Sequence, residues 1–255
     1  MKRTFLPLIL AVAVVATAAL YFWPKTERAQ PQDPLAPAPT AEPAIRYPIE
    51  AVGPSAQPLP ELTESDGALS DALAELFGGD LEKFFNLRDI VHRVVATIDN
   101  LPRDHVSLRL MPVKPLPGLF VTTGRGESLA LSPENAARYR PYVRLVEAVP
   151  TEALVAVYRR FYPLLQKQYE NLGYPERYFN DRVVVVIDHL LAVSDVERPV
   201  LLTQPRVLYE FLDPRLEGLS AGQKILVRMG GENVIKVKAK LREIREALLS
   251  RVPKG

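Results

Sequence analysis

Cysteine is absent from the 255 residues, and histidine occurs only at positions 92, 105 and 189. The first absence excludes a disulfide framework, thiolate nucleophiles and cysteine-ligated zinc. The three histidines stand in no H-x-x-x-H spacing, so no metal motif is built on them. A G-x-S-x-G nucleophile elbow is also missing, and Gly124-Arg125-Gly126 has too few glycines, with no helix start directly behind it, for a phosphate loop. Charge of one sign is lacking too. Thirty-two Lys and Arg against 30 Asp and Glu leave +2, which Lys2 and Arg3 supply by themselves. A chain so balanced, without a nucleic-acid-binding signature, argues against a nucleic-acid partner. No metal and no cofactor are expected.

What the chain does have begins at residue 4. Thr4 to Trp23 is one largely apolar run of twenty residues, and at ~1.5 Å per residue it spans ~30 Å, the thickness of a bilayer's hydrocarbon core. Lys2 and Arg3 precede it, and Tyr21, Phe22 and Trp23 stand where an interfacial aromatic belt would lie. Ala16-Thr17-Ala18 also fits a signal-peptide cleavage site, but the apolar run continues past it and is longer than an ordinary signal core. We read residues 1–24 as an uncleaved single-pass anchor that meets the membrane through residues 4–23. Lys25 and Arg28 nearly balance Lys2 and Arg3; the short N-terminal head favours a cytoplasmic N-terminus, with the C-terminal domain outside, in the periplasm of a cell with two membranes.

Ten of the 24 prolines fall between Pro24 and Pro60. Mixed with Ala, Gln and Glu, they bury too little apolar surface to offset ordering entropy, so residues 25–63 read as a disordered linker. Residues 64–255 read as one mainly α domain with a small antiparallel hairpin or sheet. A helix is expected from Ser65 or Asp66 to Gly78. A second should run from Asp80 to Pro102 on Phe84, Leu87, Val91, Val94 and Ile98. From Val106 to Leu131 the apolar period shortens to two, predicting extended pieces around Val106–Leu110 and a hairpin of Leu119–Thr123 with Ser128–Leu131 across Gly124-Arg125-Gly126. Ser132-Pro133-Glu134 opens a helix that Pro141 interrupts. Thr151 opens a longer one to Leu172, with a kink expected at Pro163. Val183 to Ile187 permits a strand, but Asn180 or Asp181 as a cap and the continuing Leu190-Leu191 favour a buried helix. Val200–Thr203 is expected to be extended. Ser220 caps a helix to Met229, Gly230-Gly231 breaks it, and the last helix carries an apolar seam of Val234, Val237, Leu241, Ile244 and Leu248.

Candidate contact residues come from two places. Tyr158, Phe161, Tyr162, Tyr169, Tyr174, Tyr178 and Phe179 crowd into 22 residues; those on one helix face serve the core, while Tyr174, Tyr178 and Phe179 fall in the following loop and can line a groove with Asp181, Asp188 and His189. The second is the basic face of the last helix, Lys236, Lys238, Lys240, Arg242 and Arg245, a surface for anionic headgroups or an acidic partner.

The blocks Tyr174–Arg182, Ile187–Leu191, Leu219–Lys224, Arg228–Gly230 and Val237–Arg242 resemble a family of bacterial single-pass envelope proteins catalogued only as a domain of unknown function. The resemblance implies a shared architecture in a membrane setting and brings no reaction, cofactor or catalytic residue. The expectation is therefore a non-enzymatic interaction or assembly module at the cytoplasmic (inner) membrane, with a protein partner in the envelope. The alternative is an envelope hydrolase or glycan-binding protein, with cell-wall glycan as ligand, using the aromatic-rich 158–189 region. A reporter active only outside the cytoplasm, fused after Gly255, should be active; an inactive fusion would place the domain inside.

Overall fold

The computed structural model describes residues 45–49, 58–78 and 81–250. They belong to one contact unit, Glu42–Gly255. Residues 4–23 and most of the proline-rich stretch lie outside the described residues, so the anchor expected there is not described. Among the described residues no helix is long and apolar enough to cross a membrane.

The first helix, α1 (Ser65–Phe77), keeps its expected bounds and buries Leu69 and Ala72. The second expected helix divides. After a single turn, α2 (Leu81–Phe84), the chain at Phe85 forms a β-bridge to Val113, while Asn86 N–H donates to Pro112 O and Lys114 N–H to Phe84 O. This pairing with the 111–114 segment takes the backbone groups that a continuous helix would need. Asp89 then adopts φ 52° and α3 (Ile90–Asn100) starts afresh. Its opening amides are capped from α1, because the Asp66 carboxylate accepts from Asp89 N–H at 2.7 Å and Ile90 N–H at 2.9 Å. A carboxylate at a helix N-terminus also meets the positive end of the helix dipole.

The period of two at Val106–Leu110 does not make a strand. Leu108–Leu110 is a 3-10 turn, held by Thr97 Oγ1 donating to Leu110 O. The hairpin does form, though short: β1 (Thr122–Thr123) pairs antiparallel with β2 (Ala130–Leu131). Gly124 has φ 74°, and a Cβ there would lie 2.1 Å from Ser128 O, so only glycine fits. A second hairpin, β3 (Leu202–Thr203) with β4 (Glu210–Phe211), joins the first through an Ala130–Leu201 bridge. The sequence shows only its first strand.

α4 (Asn135–Ala148) runs through Pro141 without interruption, contrary to the expected break. α5 (Thr151–Asn171) carries Pro163 and ends before Gly173, at φ 103°. α6 (Phe179–Leu191) confirms the buried helix at Val183–Ile187. After the single turn α7 (Pro214–Glu217), α8 (Ala221–Met229) opens with a capping box: Ser220 Oγ accepts from Gln223 N–H and the Gln223 side chain accepts from Ser220 N–H. α9 (Gly231–Leu249) closes the domain.

Two apolar clusters make the core. α1, α3, α5 and the face of α6 carrying Phe179, Val183 and Ile187 fill one, with Phe161, Tyr169 and Phe179 among its most buried members. β2, β3, β4, α8 and the α6 residues Val186 and Leu190 fill the other around Val200, Leu202 and Phe211. The α9 seam serves both: Val234 and Val237 pack on the second cluster, Ile244 on the first, and Leu241 on each. Leu241→Ala should therefore cost about 2–3 kcal/mol, toward the lower end for leucine because it is only partly buried. Arg242→Ala, on the exposed side of the same helix, should stay within ~0.5 kcal/mol. Urea unfolding of the two variants checks the contrast.

Candidate functional site

The aromatic stretch at the end of α5 and the start of α6 builds a polar hydrogen-bonding site, here called the α5–α6 groove, with a core behind it. α6 has no side-chain cap of its own. Its first amides are taken by α5 instead: Phe179 N–H donates to Gln166 Oε1 at 2.8 Å and Asn180 N–H to Tyr162 Oη at 3.2 Å. Tyr162 Oη donates in turn to Gln166 Oε1, and Tyr158 Oη to Asn180 Oδ1 at 3.1 Å. Burial lifts the Tyr162 phenol far above the ordinary tyrosine range, and burial with the neighbouring Tyr178 lifts Tyr158 likewise. Both hydroxyls therefore stay protonated and act as fixed donors. Rings 158, 162 and 178 lie in contact, with centroids 5.7 and 5.3 Å apart.

The outer side of this network holds a short piece of the chain itself, bent at Arg46 and Tyr47. Asp181 accepts from Arg46 N–H at 3.0 Å and Tyr47 N–H at 2.8 Å. Tyr178 Oη accepts from Ile49 N–H at 2.9 Å, and Asn180 Nδ2 donates to Tyr47 O at 2.9 Å. Ile49, with Leu59 and Leu62 further on, packs against the first cluster. Residues 45–49 thus dock on the domain although they fall inside the stretch read as linker. The proline-rich average hides Tyr47 and Ile49, a bulky pair whose contribution composition smooths away.

Of the six contact candidates, the groove brings together Tyr178 and Asp181. Phe179 is wholly buried behind them. Tyr174 stacks on Tyr169 at 4.7 Å and turns its hydroxyl to another group, Asp99. Asp188 pairs with Arg245 at 2.5 Å, and His189 Nε2 meets Ser220 Oγ at 2.8 Å. The three groups that an acid–base site would need, Asp181, Asp188 and His189, are each engaged with a different partner. No group of His, Asp or Glu able to hold a metal ion occurs among the described residues.

The basic face of α9 is less open than its sequence suggests. Lys238 is buried and donates to Val193 O. Lys240 lies under the start of α5, donating to Val149 O and Thr151 Oγ1 at 3.1 Å each and pairing with Glu243. Lys236 pairs with Glu147 and Glu232. Arg242 is the exposed member. Heptad position alone does not reveal this, because α4 and the loop after α6 cover the flank that two isolated helices would leave to solvent.

Sequence reading misses Asp99 altogether. It is 5% exposed and accepts from Arg182 Nε at 3.0 Å, from Arg103 at 2.6 Å and from Tyr174 Oη at 3.3 Å. A buried carboxylate persists only when paired in this way. It ties α3 to α6 and to the loop that presents Tyr178. Asp181→Ala should speed hydrogen exchange at the Arg46 and Tyr47 amides while leaving exchange in α3 and α5 unchanged, as resolved by NMR or mass spectrometry.

No curated protein and no solved structure matches the chain. A family description does. The family "Protein of unknown function (DUF3014)" matches residues 90–245, from the first turn of α3 to four residues short of the end of α9, and the chain belongs to that family.

Proposed function

We propose that this protein is a membrane-tethered, non-enzymatic interaction or assembly module of the bacterial envelope. Its apolar run at residues 4–23 anchors it in the cytoplasmic membrane, and its helical domain stands outside the cytoplasm and binds a segment of a protein partner in exchange for its own residues 46–49. The observation that carries the reading is the chemistry of the α5–α6 groove. Asp181, Tyr178 and Asn180 bind the main chain at residues 46–49 through its N–H and C=O groups, not through its side chains. Main-chain recognition of this kind suits an extended peptide of varied sequence, with neighbouring apolar positions adding selectivity. The tyrosines lend large rigid surfaces with one polar tip each, at small entropic cost.

The hydrolase alternative requires Asp181, Asp188 and His189 to converge, and their separate pairings give it no support. A photo-crosslinking residue in place of Glu176, an exposed position beside the groove, tests the proposal in the full chain in its own membrane. The expected result is an adduct with another envelope polypeptide that is lost in Asp181→Ala. Adducts confined to the chain's own residues 45–49, or adducts indifferent to Asp181, would overturn it.

A further inference from the structure

A second exposed feature lies at the opposite cluster and is independent of the groove. At the tip of the β3–β4 hairpin, Val207 and Leu208 are 86% and 76% exposed, and Leu119, in the loop before β1, is 86% exposed. The two segments belong to one surface, because the rings of Phe120 and Tyr209, the next residue after each apolar tip, lie 5.5 Å apart. Both tips are held in place. Gln204 Nε2 donates to Val207 O at 3.0 Å, and the Arg138 guanidinium donates to Pro117 O at 2.9 Å and Gly118 O at 3.0 Å. Aliphatic side chains gathered in one exposed patch gain free energy when a partner covers them, and such patches mark interaction sites.

We infer that this tip enters the headgroup region of an anionic bilayer. Three observations favour lipid over a protein surface. The aliphatic residues lie exposed in two connecting loops, Gln204–Tyr209 between β3 and β4 and the loop before β1, which suits insertion between headgroups. The Phe120–Tyr209 pair sits directly behind them, at the level where amphipathic rings favour the interface. A cation adjoins each tip, Arg206 immediately before Val207 and Arg138 under the carbonyls preceding Leu119. Cations beside inserted apolar residues are the arrangement of interfacial anchors. The chain permits the contact. Residues 24–44 separate the apolar run from Ile45, and those 21 residues reach up to ~70 Å when extended. A domain of this size has a radius of gyration of only ~16 Å.

The test uses the full chain reconstituted in vesicles of phosphatidylglycerol and phosphatidylcholine. Trp23 is the one native tryptophan, so Trp23→Phe clears the background and Leu208→Trp reports on the tip. Asn171→Trp, at the exposed end of α5, serves as the control. The tip reporter should show blue-shifted emission that brominated phosphatidylcholine quenches, while the control stays water-like and unquenched. Adding Arg206→Glu should reduce the quenching. Water-like, unquenched emission at position 208 in a protein whose circular dichroism matches the parent would overturn the inference. So would quenching indifferent to Arg206→Glu. A blue shift in lipid-free detergent that grows with protein concentration would assign the tip to a second copy and overturn it as well.

Discussion

Putting the first turn of α6 inside the core creates a difficulty common to every buried helix start, since its leading N–H groups have no partner within the helix and are shut off from water. Phe179 and Asn180 are both fully buried there, and no side chain of α6 caps them. The partners come from α5, through Gln166 and Tyr162. Those side chains are fixed in turn by Glu170, the Arg177 carbonyl and the tyrosine rings around them. One requirement of polar satisfaction thereby ties the end of α5 to the start of α6, engages Tyr158 and Tyr162, and leaves Asn180, Asp181 and Tyr178 with hydrogen-bonding capacity toward the chain outside the two helices. Residues 46–49 consume that capacity. The groove is thus a by-product of capping before it is anything else, and the functional reading rests on what a by-product of that kind can grip.

The elements that the sequence reveals are those whose stabilisation is local. α1 ends at its glycine, α8 carries a complete capping box, Gly124 accepts a backbone that other residues cannot, and the α9 seam repeats at three and four. The run Val183–Ile187 reads correctly as helix because the flanking Asn180, Asp181 and Leu190-Leu191 extend the helical period beyond a strand's length. Failures have the opposite character. Nothing near Phe85 announces that Val113, 28 positions on, will pair with it and split a well-patterned helix. Pro141 stays inside α4, where the expected break fails. The strand-like alternation at 106–110 is real, yet Leu108 faces solvent and the segment winds into a 3-10 turn.

The same division runs through the candidate site. Tyrosine density and the acidic first turn of α6 point to Tyr178 and Asp181, and both bond the main chain of residues 46–49. Which other groups join them depends on packing that no spacing encodes. Lys238 looks like its neighbours in the heptad and is buried, while Asp99 looks like one more carboxylate and is the centre of an arginine–tyrosine network. Buried charge of this sort is visible only once the neighbours are known, because its sign of burial is the identity of its partner.

The carboxylate of Asp66 carries a practical consequence for where this domain can be divided. The family match opens at Ile90, and the amide of that same residue is bonded to Asp66, 24 positions upstream. Leu69 and Ala72, from the same α1, cover the first cluster beside Ile90 and Val91. A fragment trimmed to the family boundary would begin with a frayed helix and an uncovered apolar face. The span over which relatives share sequence is in this case shorter than the span that folds. Truncation series and evolutionary comparisons of this domain are better framed from Ile45, ahead of Ile49 where the chain first reaches the core, than from the point at which similarity begins.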